Sequence, residues 1–143
     1  SKPLAVMFRN IASIKEVAFL TKKDERLILS KQRPIVIVSK KENAILSELI
    51  APNIDRIGVF LPYTPLHEIL LKELNFPIVA TSANLSGEPI ILDDKEIFQK
   101  MPLLVQDILT YNRDIINVCD DSVVQNTLDD TITLRMARGY APY

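Results

Sequence analysis

The sequence predicts an α/β fold, a twisted mixed sheet with flanking helices, and three observations carry that prediction. Apolar, β-branched runs at Leu4–Phe8, Ile35–Val38, Ile57–Leu61 and Pro77–Ala80 have the length and character of buried strands. Helix-start signals lie between them. Near the end, Val123-Val124 and Thr131-Ile-Thr-Leu134 flank the turn signal Asp129-Asp130, a hairpin pattern. Helical connectors imply parallel neighbours and the hairpin an antiparallel pair, so both kinds of pairing are expected in one sheet.

In chain order, Ser13-Ile-Lys-Glu16 reads as a capping box, with a helix running on through Val17, Ala18 and Leu20. Thr21-Lys-Lys-Asp24 is a second cap, for a short helix over Glu25–Ser30. Pro34 suits the first position of a strand, where no ladder donor is needed. Lys40–Pro52 carries a short amphipathic pattern. Pro62 stops the next strand. Thr64 then reads as an N-cap, with Pro65 at the first helical position. Leu66, Ile69, Leu70 and Leu74 form an apolar stripe at helical spacing, expected to be core. Asp93 is a plausible cap for a helix bearing Ile97, Phe98 and Met101. Pro102–Thr110 fits helix or strand equally.

A chain of 143 residues, 48% apolar, suffices for one domain with a real core. A net charge of −1 shows no footprint of a general nucleic-acid binder. One cysteine, Cys119, rules out an internal disulfide and fits a cytoplasmic protein. With one histidine and no Cys-x-x-Cys pair, a self-contained zinc site is not expected. No apolar run approaches the roughly 18 residues that a membrane span needs.

The stretch richest in chemistry is Pro77-Ile-Val-Ala-Thr-Ser-Ala-Asn-Leu-Ser-Gly-Glu-Pro89. A buried-strand run ends in Thr81, Ser82, Asn84 and Ser86. This delivers hydroxyls, an amide and backbone N–H groups to a strand end, where α/β sheets usually bind ligands. The plainer reading is a turn, since Ser, Asn and Gly build loops without any ligand. Tyr63, Thr64 and His67 cluster at a helix N-terminus, which favours anions; a solvated histidine is the alternative. Antiparallel pairing of the hairpin would bring Ser122 and Arg138 to one edge, where a hydroxyl and a guanidinium suit a phosphate. Asp120 and Asp121 could hold Mg²⁺, or be solvated turn residues. Arg113 could face phosphate or pair with Asp114 or Asp107.

Four segments together resemble a known family. Thr81-Ser-Ala-Asn-Leu-Ser-Gly87 is similar to the TSAN-x-SG signature of YrdC-like domains. Leu61-Pro-Tyr-Thr-Pro-Leu-His67, Cys119-Asp-Asp-Ser-Val-Val124 and Ala137-Arg-Gly-Tyr-Ala-Pro142 resemble the LPYTPLH, DDSVV and RGYAP segments of the YrdC-like domain in the HypF family. The resemblance implies a YrdC-like sheet that binds ATP with Mg²⁺ and forms carbamoyl-AMP. Carbamate derived from carbamoyl phosphate would attack the α-phosphorus, and the carbamoyl group would pass to the C-terminal cysteine of HypE during nickel–iron hydrogenase maturation. It also implies pocket roles for Lys2, Arg33, Tyr63, Thr64 and His67, beside Thr81, Ser82, Asn84, Arg113, Ser122 and Arg138. The family often has histidine where Tyr111 stands. A Gly-rich segment and a basic K-x-R stretch precede Lys2-Pro3 in that family. Residues 1–143 are therefore expected to be the C-terminal portion of the domain, truncated at the N-terminus, weak in nucleotide binding alone and prone to self-association. Other HypF domains would be partners. The rival readings are a threonylcarbamoyl-AMP-forming domain for tRNA modification, or a non-catalytic module binding nucleotide, RNA or a protein.

Overall fold

The computed structural model describes residues 4–42, 55–110, 112–115 and 119–140. They fall in two compact units, Ser1–Thr81 with Asp121–Tyr143, and Ser82–Asp120. The first unit holds a mixed seven-stranded sheet: β1 Ala5–Met7, β2 Ala18–Phe19, β3 Ile35–Lys40, β4 Arg56–Phe60, β5 Ile78–Ala80, β6 Val123–Asn126 and β7 Thr131–Arg135. Among the described residues its helices are α1 Ile11–Lys15, α2 Lys22–Leu29 and α3 Pro65–Leu74. The second unit contains α4, Asp94–Lys100, capped by Asp93. Residues 102–110 are neither helix nor strand. Lys2, Tyr111 and most of the Lys40–Pro52 stretch lie outside the described residues.

The strand order is β5-β1-β4-β3-β6-β7, with β2 pairing the far half of β3. The sheet is mixed as expected, but its parallel pairs are β1 with β4 and β3 with β6. Neither pair is joined by a single helix, which corrects the expectation drawn from the connectors. The α3 connection shows why. It leaves β4 at Phe60 and enters β5 at Ile78, and both residues lie level with Met7 of β1. The helix starts and finishes at the same end of the sheet, so β5 runs back antiparallel to β1.

Local chemistry fixes the helix ends. Thr21 caps α2 in a full capping box with Asp24, and Thr64 caps α3 with Pro65 in its first turn. The α1 box is built differently from the expected one. Asn10 is the N-cap, and Ser13 sits at the third helical position. The helix stops at Lys15, and Ala18–Phe19 pair with Ser39 and Lys40 as β2. Here a β ladder outcompetes the weak propensity of one extra helical turn.

The core has two sides. Val6, Phe8, Val36 and Val59 pack under Ile14 of α1 and Ile28 of α2. On the other face Met7, Ile35 and Phe60 pack under Leu71 of α3. Of the stripe expected to be core, only Leu74 is half-buried. Leu66, Ile69 and Leu70 are 48%, 61% and 38% exposed. The helix instead turns the seam His67–Leu71–Leu74, spaced four and three apart, toward the sheet.

Candidate functional site

Because β3 runs parallel to β6 and antiparallel to β4, the entries of β3 and β6 meet the exit of β4 at one end of the sheet. The exit of β7 joins them through the hairpin. Arg138 ties these four segments together. Its Nη1 donates to the Gln32 carbonyl at 2.6 Å, and its Nη2 to the Arg33 carbonyl at 2.8 Å. Nε and Nη2 both donate to Asp121 Oδ1, at 3.2 and 3.0 Å. The guanidinium lies 3.7 Å from the Tyr63 ring centroid, a cation–π contact. Tyr63 in turn meets the His67 ring edge-on, with centroids 4.9 Å apart.

Ser122 is fully buried beside this clamp. Its hydroxyl donates to the Arg138 carbonyl at 3.0 Å and accepts from the Ala137 N–H at 2.8 Å. Gly139 follows with φ +81, and a Cβ there would lie 2.8 Å from Gln32 side-chain atoms. Both the backbone angle and the close approach require glycine. Tyr140 then packs against the larger core cluster. Three of the four recognised segments thus meet in one knot, with Tyr63, Asp121, Ser122 and Arg138 as its members.

Ser122 and Arg138 come to one sheet edge, as expected, and bond to protein groups there. Asp121 Oδ1 accepts from Arg138. Among the described residues no group of three or more His, Cys, Asp or Glu converges on a cation position. Burial, reinforced by Asp121 and opposed by Arg138, raises the Tyr63 phenol above its ordinary value. Burial chiefly lowers the His67 imidazole, with Asp121 opposing, and its Nδ1 is buried with no hydrogen-bond partner among the described residues.

The sheet face beneath α3 continues as an open concavity of about 340 Å³, floored by Ala5, Ile35, Ile37, Gly58 and Val123, with Arg135 on its rim. A Cβ on Gly58 would meet Ile35 Cγ2 at 3.0 Å and rise into this floor. The sequence reading overlooked this surface, although a glycine inside a strand pattern is the signal for it.

Thr81 leaves β5 at the opposite end of the sheet from Ser122, because Ala80 pairs with Ala5 while Ile78 lies level with the β3 and β6 entries. In the second unit the loop after Thr81 is self-bonded. Ser82 Oγ donates to Asn84 Oδ1 at 2.5 Å. Asn84 Nδ2 donates to the Leu85 and Glu88 carbonyls at 3.1 and 3.0 Å. Gly87 takes φ +81 within it. Arg113 and Asp120 also belong to this unit, and Arg113 is exposed.

A mixed sheet with this strand order, a serine–glycine loop after β5 and a clamped end define an α/β domain of the Sua5–YciO–YrdC type. The model of that family, described as telomere recombination, matches residues 1–137, and the chain belongs to it. Within the family it is similar to HypF proteins. It is 45% identical over 141 residues to carbamoyltransferase HypF of Synechocystis, covering 99% of this chain and 18% of that protein. The probable carbamoyltransferase HypF of Methanocaldococcus jannaschii is 39% identical over 145 residues, with 99% and 18% covered. A crystal structure of full-length HypF in a phosphate- and nucleotide-bound form superposes with a TM-score of 0.92 at 43% identity, covering 99% of this chain and 22% of that one. Sua5 of P. abyssi complexed with L-threonine shares the fold, with a TM-score of 0.77 at 19% identity over 94% of this chain and 40% of that one. The chain spans about a fifth of the length of the HypF relatives it matches. Among the described residues no helix is long and apolar enough to cross a membrane.

Proposed function

We propose that this chain is the nucleotide-handling part of a carbamoyltransferase, binding ATP with Mg²⁺ and forming carbamoyl-AMP. The observation that carries this reading is 45% identity to a named carbamoyltransferase across 99% of the chain. A carbamate oxygen, from carbamoyl phosphate cleaved elsewhere in the parent, attacks the α-phosphorus of ATP and pyrophosphate leaves. The carbamoyl group then passes to a thiolate of the partner HypE, with release of AMP. Such chemistry asks for positioning and charge neutralisation rather than a protein nucleophile.

In this reading the floor around Gly58 takes the flat, apolar part of the nucleotide. The loop after Thr81, which belongs to the second unit, is a nucleotide contact in its own right. Tyr63, Thr64 and His67 shape the wall, and the Arg138 knot holds that wall rigid. Mg²⁺ arrives on the phosphates of ATP, as is usual for that ion. The test is release of pyrophosphate and AMP from ATP by the full-length parent, with carbamoyl phosphate and with threonine as alternative co-substrates. Turnover dependent on carbamoyl phosphate is the expected result. Turnover dependent on threonine would move the chain to the tRNA-modification branch, and none with either would leave a binding module.

A further inference from the structure

We infer a separate phosphate-binding pocket at the α3 end of the sheet, built by Arg9, Arg33 and Lys72. A cavity of about 240 Å³ lies there, with these three cations and Glu68 around an apolar base that includes Leu61 and Leu71. All these residues belong to the first unit. The cations come from three places in the sequence that only the fold brings together. Arg9 follows β1, Arg33 precedes β3, and Lys72 sits in the last turns of α3.

Two observations mark this as more than a charged surface. The first is that the charges are not neutralised internally. Among the described residues, none of Arg9, Arg33 and Lys72 is within ion-pair distance of a carboxylate. Arg9 Nη1 reaches only the Asn75 Oδ1 at 3.5 Å, and Arg33 Nη1 only the Ile28 carbonyl at 3.4 Å. Three cations and one carboxylate leave a net charge of +2 around a hollow roomy enough for one or two phosphate groups. The second observation is the backbone of Arg33. It holds φ +45 immediately before Pro34, a conformation that a non-glycine residue ahead of proline avoids. Arg138 fixes it there through the Arg33 carbonyl at 2.8 Å. A strained backbone locked by a half-buried clamp, with a guanidinium carried to a pocket wall, is the arrangement expected where the side chain's aim matters. The fork of an arginine matches phosphate oxygens, and low competition from carboxylates strengthens each such contact.

The ligand chemistry is therefore a phosphate or diphosphate group. It can come as free phosphate or pyrophosphate, or as the phosphate tail of a nucleotide. The inference does not depend on carbamoyl transfer.

The test is isothermal titration calorimetry of the full 143-residue chain, in phosphate-free buffer, with phosphate, pyrophosphate, AMP and ATP. Pyrophosphate or ATP is expected to bind, and Arg9→Ala and Lys72→Ala each to weaken that binding about tenfold, the usual loss for a charge-assisted contact. Arg33→Gly is expected to weaken it similarly while keeping the chain folded by circular dichroism, because glycine accepts the positive φ without strain. Glu68→Gln should tighten binding, and Lys95→Ala, a lysine of α4, should leave it unchanged. Binding of pyrophosphate assigns the pocket to a free anion, and binding of ATP alone assigns it to a nucleotide tail. Binding of none of the four, or affinities in Arg9→Ala, Lys72→Ala and Arg33→Gly equal to the parent's, overturns the inference. Asn84→Ala separates it from the adenylation reading, since that residue lies in the signature loop and not in this pocket.

Discussion

Replacing Arg138 with alanine tests the knot most directly. The substitution removes hydrogen bonds to the Gln32 and Arg33 carbonyls and to Asp121, together with the stack on Tyr63. Hydrogen bonds involving a charged group contribute about 1.5–3 kcal/mol each, and a partly desolvated cation–π contact about 1–2 kcal/mol. These terms share one side chain and do not add. The Arg138 and Asp121 side chains are only 22% and 24% exposed, so solvent screens their pair weakly. Removing one member of such a pair leaves the other carboxylate and two carbonyls short of donors, and a net loss of about 3–5 kcal/mol follows. For a unit of this size the midpoint of thermal unfolding should fall by more than about 10 °C. Arg138→Lys should recover less than half of the loss, since an ammonium cannot fork between two carbonyls and a carboxylate. Urea unfolding followed by far-UV circular dichroism measures both variants. A loss below about 1 kcal/mol for Arg138→Ala, the size of a surface ion pair, would refute the clamp.

Gly139→Ala combines a positive φ with a 2.8 Å approach to Gln32 and should destabilise by about 2–4 kcal/mol in the same assay. Gly58→Val should cost about 1–3 kcal/mol and also abolish nucleotide binding in the full-length parent, read by calorimetry. Asn84→Ala in that parent should weaken ATP binding by about 1–3 kcal/mol, and unchanged affinity with an intact fold would remove the signature loop from the site. Burial lowers the His67 pKa from 6.5, so the unfolded chain takes up its proton first as pH falls. The contribution of His67 is complete above 6.5 and is lost between 6.5 and its lower folded value. His67→Gln should flatten that part of the stability–pH curve, measured by urea midpoints across it.

Much of the local structure could be read from neighbouring residues. Thr21 with Asp24, Thr64 with Pro65, and Asp93 ahead of α4 all act within one helical turn, so their chemistry is complete in a few residues. The β6–β7 hairpin is local for the same reason. The segments around Thr81, Leu61, Asp120 and Arg138 were visible as a set, and family membership followed from them.

What each of those residues touches was decided by the tertiary structure. Arg138 binds the Gln32 carbonyl across 106 positions of sequence, and nothing near either residue specifies that partner. The parallel pairs β1–β4 and β3–β6 join strands that are not consecutive, so connector type alone could not indicate them. On α3 the expected stripe Leu66–Ile69–Leu70–Leu74 and the seam His67–Leu71–Leu74 have similar helical spacing and share Leu74. Only the position of the helix over Met7, Ile35 and Phe60 selects Leu71 for the core. Caps and turns depend on groups a few bonds apart, whereas strand order, the buried helix face and the shared edge of Arg9, Arg33 and Lys72 depend on which distant surfaces pack together.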